Sequence, residues 1–170
     1  LLVDIRSVRS KLPSVEYDTD RNFDLALMSG EIEDIKKKVE QHEEELTEFE
    51  NRINSLKEQK KVFKKLRGID LTYEDLQGTD TLEVFIGDLD EDFENVVETD
   101  RYEVFSGNDA SAVLYSKKHA EEVQRALRET DSRQIKMPET DIEGTPDQIY
   151  RNTQSRLEEI KKKRDSVEQD

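Results

Sequence analysis

The sequence predicts an α+β protein in which a long antiparallel helical coiled coil carries an inserted ferredoxin-like βαββαβ lobe. Three observations point there. Residues 31–66 carry a clean heptad, with Ile32, Val39, Leu46 and Ile53 at one seam position and Ile35, Phe49, Leu56 and Phe63 at the other. A shorter stripe recurs downstream at Tyr150, Leu157, Ile160 and Val167. Between the two, the apolar period changes from helical to strand-like. Apolar residues at alternating steps of three and four form the narrow stripe that a coiled coil buries.

Composition suits this plan. The chain has 170 residues, 41% of them charged and 32% apolar. That is thin for a thick globular core and adequate for exposed coil joined to a small α/β module. Cysteine is absent, which excludes disulfides and thiolate metal sites and fits a reducing compartment. No apolar run approaches the roughly 20 residues that a membrane span needs. The chain opens on Leu1 with no signal peptide in view, and it reads as a piece cut from something longer. Net charge is −15 at pH 7. So negative a surface repels phosphate backbones and anionic headgroups. It serves solubility, as in a salt-adapted protein, or docking of a basic partner; the two are compatible.

Residues 1–13 read as the end of a preceding helix. Leu1, Leu2, Ile5, Val8 and Leu12 are helically spaced and stop at Pro13. Residues 14–30 are polar and Asp-rich and read as a connection. Ser29 is the expected N-cap of the outgoing helix, assigned to 31–67, with Glu31, Glu33 and Asp34 at the positive end of its dipole. Gly68 marks its stop. At 1.5 Å per residue this helix is roughly 55 Å long, and a stripe of that length needs a partner. Only His42 and Lys60 interrupt its seam.

The lobe is assigned to 68–143. Thr81 to Gly87 alternates like a strand. Asp90 to Thr99 places Phe93, Val96 and Val97 on one helical face. Arg101 to Ser106 and Ser111 to Ser116 read as strands joined through Gly107-Asn108. A second helix carries Ala120, Val123 and Leu127 and is capped by Ser116. Gln134 to Met137 is a last short strand ended by Pro138. The order is βαββαβ, a four-stranded antiparallel sheet with both helices on one face. The returning helix, 144–170, starts at Thr145-Pro146-Asp147-Gln148. Thr145 is the N-cap, Pro146 fits the first turn and Gln148 completes a capping box. Thr153 and Arg164 weaken its seam.

Little supports catalysis. His42 and His119 stand apart from other catalytic groups. His42 reads as a partly exposed, neutral packing residue of the seam, and His119 as a surface residue in a first helical turn. No phosphate-binding loop, HExxH or base-activated nucleophile is present. Asp88, Asp90 and Asp92 match the first three ligand positions of a calcium loop, as do Asp18, Asp20 and Asn22. Both runs have Phe (Phe93, Phe23) where the glycine belongs, and Thr99 or Ser29 where the bidentate Glu belongs. Asp90 reads more simply as a helix cap. No metal or other cofactor is implied.

Val84 to Leu89 resembles the first-strand signature of an RNA recognition motif, where an exposed aromatic stacks a base. The third strand keeps only Tyr115 of the matching signature. From Gly68 to Thr140 there are 19 acidic and 7 basic residues, a net −12. Attraction to RNA requires basic groups that displace counterions, so the sign is wrong and no nucleic acid partner is expected. Phe85, Phe105, Val113 and Tyr115 then have two readings. They pack on the base of the coil or a connecting segment, or they form a protein-docking face.

Taken in order, Leu82-Glu-Val-Phe-Ile-Gly87, Pro138-Glu139, Gly144-Thr145-Pro146 and the flanking heptads resemble the cytoplasmic part of subunit I, also called subunit a, of A/V-type ATP synthases. The resemblance spans about Glu31 to Asp170. The family's N-terminal lobe and its C-terminal membrane domain, with the arginine critical for proton transfer, fall outside it. The resemblance implies a non-catalytic stator element of a rotary A/V-type ATPase, with no residue here taking part in ATP or proton chemistry. It implies that the lobe holds a peripheral-stalk heterodimer of E and G-type subunits, alongside other ATPase subunits. It implies a place at the cytoplasmic face of the cell membrane, in a parent protein embedded there. Two other classes fit the outline. One is a coiled-coil hinge or tether of a chromosome-organising ATPase, which would carry a basic DNA-facing surface. The other is a ligand-sensing ferredoxin-like domain, which a metabolite would stabilise by linkage.

Overall fold

The computed structural model describes residues 25–168. The expected helix over 1–13, the connection as far as Asp24, and the trio Asp18, Asp20 and Asn22 lie outside these residues. The described residues divide into two compact units, one up to Arg52 together with those from Lys162 onward, and one of Ile53–Lys161.

Helix α1 spans Leu25–Leu66, 42 residues, and the unit boundary falls within it. It starts ahead of the expected Glu31, so Ser29 and Gly30 lie inside the helix and Ser29 is not its cap. Leu25, Ala26, Leu27 and Met28 are strong helix formers. One interior glycine costs only about 1 kcal/mol against alanine, too little to stop them. In the first unit Ile32, Val39, Leu46 and Phe49 of α1 are half-buried, while Ile35 is 44% exposed. The same unit holds the last turns of the final helix. There Val167 is half-buried, and Arg164 bonds Asp165 and lies within electrostatic reach of Glu50.

The second unit is built on a sheet. Its strands are β1 (Leu82–Asp88), β2 (Tyr102–Ser106), β3 (Ser111–Ser116) and β4 (Arg133–Gln134). They lie in the order β2-β3-β1-β4, and every neighbouring pair is antiparallel. Helix α2 (Phe93–Val96) follows β1 and helix α3 (Ala120–Glu129) follows β3. Helix α4 (Pro146–Val167) returns.

Two elements are shorter than expected. α2 covers four residues of the anticipated ten-residue segment, because Val97 is already extended at φ −67°, ψ 126°. Adjacent β-branched Val96 and Val97 resist continuing a helix. β4 covers Arg133–Gln134, after which Ile135 donates one more backbone bond to the Ile86 carbonyl.

Alternation sorts the strands onto two covered faces. Phe85, Val113 and Tyr115 point to one face and are buried with Phe93, Val123, Ala126 and Leu127. There Phe93 meets Tyr102 edge-to-face at 5.4 Å. Ile86 and Ala112 point to the other face and are buried with Phe63 and Leu66 of α1, Ile149 of α4, and Ile69, Leu76 and Ile142 of the connections. The second face therefore rests on the converging helix ends. Further along the pair, Ile53 and Leu56 of α1 bury against Leu157 of α4, with Ile160 beside them. Thr153 of α4 is also fully buried, and its hydroxyl has no hydrogen-bond partner.

Gly87 explains the glycine that closes the β1 motif. A Cβ there would lie 2.0 Å from the Arg133 carbonyl oxygen, so β4 reaches β1 only where the side chain is missing. Gly87→Ala is expected to displace β4 and cost about 1–3 kcal/mol, read as a lower urea midpoint. Thr153→Val removes an unpaired buried hydroxyl and should raise that midpoint by roughly 1 kcal/mol equivalent. A lower midpoint for Thr153→Val would mean that the hydroxyl is satisfied after all.

Candidate functional site

One set of polar groups of the second unit meets where α1 ends and α4 begins. α1 stops at Leu66, and Gly68 takes φ +94°, the left-handed conformation that closes many helices. The last carbonyls of a helix lack partners within it. Here the β2–β3 turn supplies them. Asn108 N–H donates to the Arg67 carbonyl at 2.8 Å, and Asp109 N–H donates to the Lys65 carbonyl at 3.0 Å. Gly107 permits this approach, because a Cβ would sit 3.0 Å from the Lys65 carbonyl and 2.8 Å from that of Ala110.

Asp147 ties the same helix end to the start of α4. One carboxylate oxygen accepts from Arg67 Nε at 2.8 Å, and the other accepts from Gly68 N–H at 2.8 Å. Asp147 lies in the first turn of α4, where the helix dipole favours a negative charge. Gln148 Oε1 accepts from Thr145 N–H at 2.9 Å, which is the reciprocal half of the capping box, and Pro146 opens the helix. Tyr150, one turn further, has the Arg67 guanidinium 4.9 Å from its ring centroid and the Lys60 ammonium 5.6 Å away. Lys60, which breaks the apolar series in the sequence, thus lies over an aromatic ring.

Electrostatics follow the geometry. The Arg67 hydrogen bond, then the Gly68 N–H, holds the Asp147 carboxyl below the usual carboxylate range. Asp147 in turn raises Arg67. Both side chains stay about a third exposed (36% and 32%), so solvent screens the pair. Its value is geometric. One carboxylate fixes the angle between two helix ends that the Phe63, Leu66 and Ile149 core has brought together.

The residues singled out in the sequence fall into separate places. Ile53, Leu56, Phe63 and Leu157 are buried; Tyr150 and Ile160 are half-buried; each lies in the second unit. Ile32, Val39, Leu46, Phe49 and Val167 are half-buried and Ile35 is exposed, in the first. Phe85, Phe105, Val113 and Tyr115 do not form one docking face, and that reading is corrected. Phe85, Val113 and Tyr115 are buried beneath α2 and α3. Phe105, a half-period out of step, lies on the opposite face against the helix-end core. Two-residue strand periodicity separates them. Burial raises the Tyr115 phenol, and Gln124 donates to Glu83 beside it. His42 is exposed. His119 Nδ1 lies 3.1 Å from Glu122, in a 3-10 turn ahead of α3, and Ser116 Oγ accepts from Lys118 N–H at that turn's start. Asp90 Oδ1 accepts from Asp92 N–H and its carbonyl from Phe93 N–H. Among the described residues no group of His, Asp or Glu could hold a metal, and no helix is long and apolar enough to cross a membrane.

Sequence reasoning missed Asp147. The signal was available in part, because an acidic residue in a first turn invites a partner, but that partner, Arg67, lies far off in the chain.

Neither a protein-family model nor a curated protein sequence matches the chain. A solved structure does. It is the crystal structure of the cytoplasmic N-terminal domain of subunit I, the homolog of subunit a, of V-ATPase. The chain has the fold of that domain. The match covers 99% of this chain and 62% of that one, with a TM-score of 0.55 and 15% sequence identity. The chain thus spans under two thirds of the subunit I domain's length, and the likeness rests on fold rather than on shared residues.

The lowered Asp147 pKa has a pH consequence. A carboxyl depressed in the folded chain contributes stability that is full above its unfolded pKa, about 3.9, and is lost as pH falls through the folded value. Asp147→Asn should therefore melt below the parent at pH 7, with the gap closing as the pH is taken below about 4. A gap that is constant with pH would remove the ion pair from this account.

Proposed function

We propose that this chain is a non-catalytic stator element of a rotary A/V-type ATPase, with α1 and α4 as an antiparallel coiled arm and residues 68–143 as a ferredoxin-like lobe. The observation that carries this reading is the subunit I fold over 99% of the chain. Its parts suit the task. A stator must resist torque rather than turn over substrate, and stiffness in a helical pair comes from interlocked apolar side chains. Ile53, Leu56 and Leu157 supply such a contact, and Asp147 with the β2–β3 turn anchors the lobe to the helix ends. In this reading the remaining heptad positions, Ile32 to Phe49 and Val167, extend the seam. The lobe engages a peripheral-stalk heterodimer of E and G-type subunits, at the cytoplasmic face of the membrane that holds the parent enzyme. The net −12 of residues 68–140 works against a DNA-facing hinge.

The test is capture of purified peripheral-stalk heterodimer by the immobilised chain. Binding to the parent, lost in Leu46→Asp/Ile53→Asp together with part of the helical signal at 222 nm, is the expected result. The lobe should keep its near-UV signal in that variant. No capture by the folded parent would count against the stator reading. Unchanged helicity and melting in the double variant would count against the coiled arm.

A further inference from the structure

Strand β2 is an edge, with β3 on one side and no strand on the other among the described residues. Its register with β3 runs unbroken from Tyr102 to Ser106. At one end Gly107 N–H donates to the Ala110 carbonyl, and at the other Ser116 N–H donates to that of Arg101. In an antiparallel ladder, hydrogen-bonded and non-bonded pairs alternate. Residues 101, 103, 105 and 107 therefore turn their backbone groups toward β3. The N–H and C=O groups of Tyr102, Val104 and Ser106 turn outward, and among the described residues no strand pairs with them, although Gly68 at the end of α1 lies close to the Ser106 carbonyl.

Edges of this kind are usually blunted by a lysine, a proline, a bulge or a covering segment. β2 has none of the first three, and its only charged residue is Glu103. Val104 and Phe105 are half-buried on opposite sheet faces, so apolar surface flanks the edge on both sides. The charge at this rim is mostly acidic. Glu103 lies in the strand, Glu98 and Asp100 precede it in the chain, and Glu94 is close enough to Tyr102 to act on its phenol, which burial chiefly raises. Glu98 and Asp100 already have cationic partners, Arg125 at 2.6 Å and Arg101 at 3.4 Å. A second copy would set one lobe of net −12 against another. The charge instead complements a basic strand.

We propose that the outer edge of β2 receives an extended segment of a basic protein partner as a fifth strand, with alternate Lys or Arg side chains over the acidic rim and apolar side chains beside Val104 and Phe105. Main-chain bonds would supply the affinity and the alternating pockets the selectivity. This inference does not depend on the stator reading, because it names only the chemistry of the docking segment.

The experiment is amide hydrogen exchange, read by NMR on the full chain, with a synthetic nonapeptide alternating Lys and Val. Control peptides replace Lys by Glu, or place Pro at the centre. Saturating Lys–Val peptide should slow exchange at Tyr102, Val104 and Ser106 about tenfold or more, leaving Glu103 and Phe105 as they were. Val104→Pro removes an outward donor and spares the β3 ladder. It should weaken the peptide about tenfold while the Glu103 and Phe105 amides stay protected. The wild-type exchange pattern stands as evidence even if that variant folds poorly. The proposal is overturned if millimolar peptide leaves the three amides unchanged, or if the Glu–Val or proline peptide protects them equally. It is also overturned if they are already protected in the free chain. In that case, protection independent of protein concentration means the chain covers its own edge, and protection that grows with concentration means a second copy does.

Discussion

The second unit depends on one shared core. Phe63 and Leu66 from the end of α1, Ile149 from the start of α4, and Ile86 and Ala112 from the sheet are buried in the same cluster. Phe63, Leu66 and Ile149 have no measurable exposure. Each full burial of a side chain this size contributes on the order of 1.5–3 kcal/mol, whereas the exposed ion pairs around the junction contribute about 1 kcal/mol or less. The apolar term therefore holds the elements together, and the polar contacts choose their angle. That division explains the chemistry at the junction. Asp147, Gly68 and the Asn108–Asp109 amides satisfy helix-end groups that the core has already drawn together.

The same core gives the sheet its two-sided character. A four-stranded sheet with helices on one face would leave the other open to solvent or to a ligand. Here that face is occupied by the helix ends and by the connecting residues Ile69, Leu76 and Ile142. Phe105, the strand aromatic on that face, becomes a packing residue. Among the described residues, the β2 edge of the sheet is left without a neighbouring strand, and an edge offers backbone groups rather than side-chain chemistry.

Much of this was legible in the chain, for identifiable reasons. The strand at Leu82–Asp88 follows from two-residue alternation, the stop of α1 from Gly68, and the start of α4 from Thr145-Pro146 with Gln148 three residues on. These signals are local, each acting through its own few residues. The start of α1 was misread because Ser29-Gly30 imitates a cap while the neighbouring Leu and Ala keep the helix going. The fate of Phe85 and Phe105 needed register as well as alternation. Asp147's two bonds to α1 and the capping of α1 by the β2–β3 turn are contacts between residues far apart in sequence. No local pattern announces them. Nothing local indicated that Ile69, Leu71, Tyr73 and Leu76 would cover the sheet face opposite α2 and α3.

The central claim is that the ends of α1 and α4 and the sheet form one cooperative body. Native-state hydrogen exchange across a denaturant series tests it most directly. The account predicts that the amides of Phe63 and Leu66 open with the same free energy and the same denaturant dependence as those of Ile86 and Ala112. Helix amides that open at distinctly lower free energy, with the sheet still protected, would contradict it.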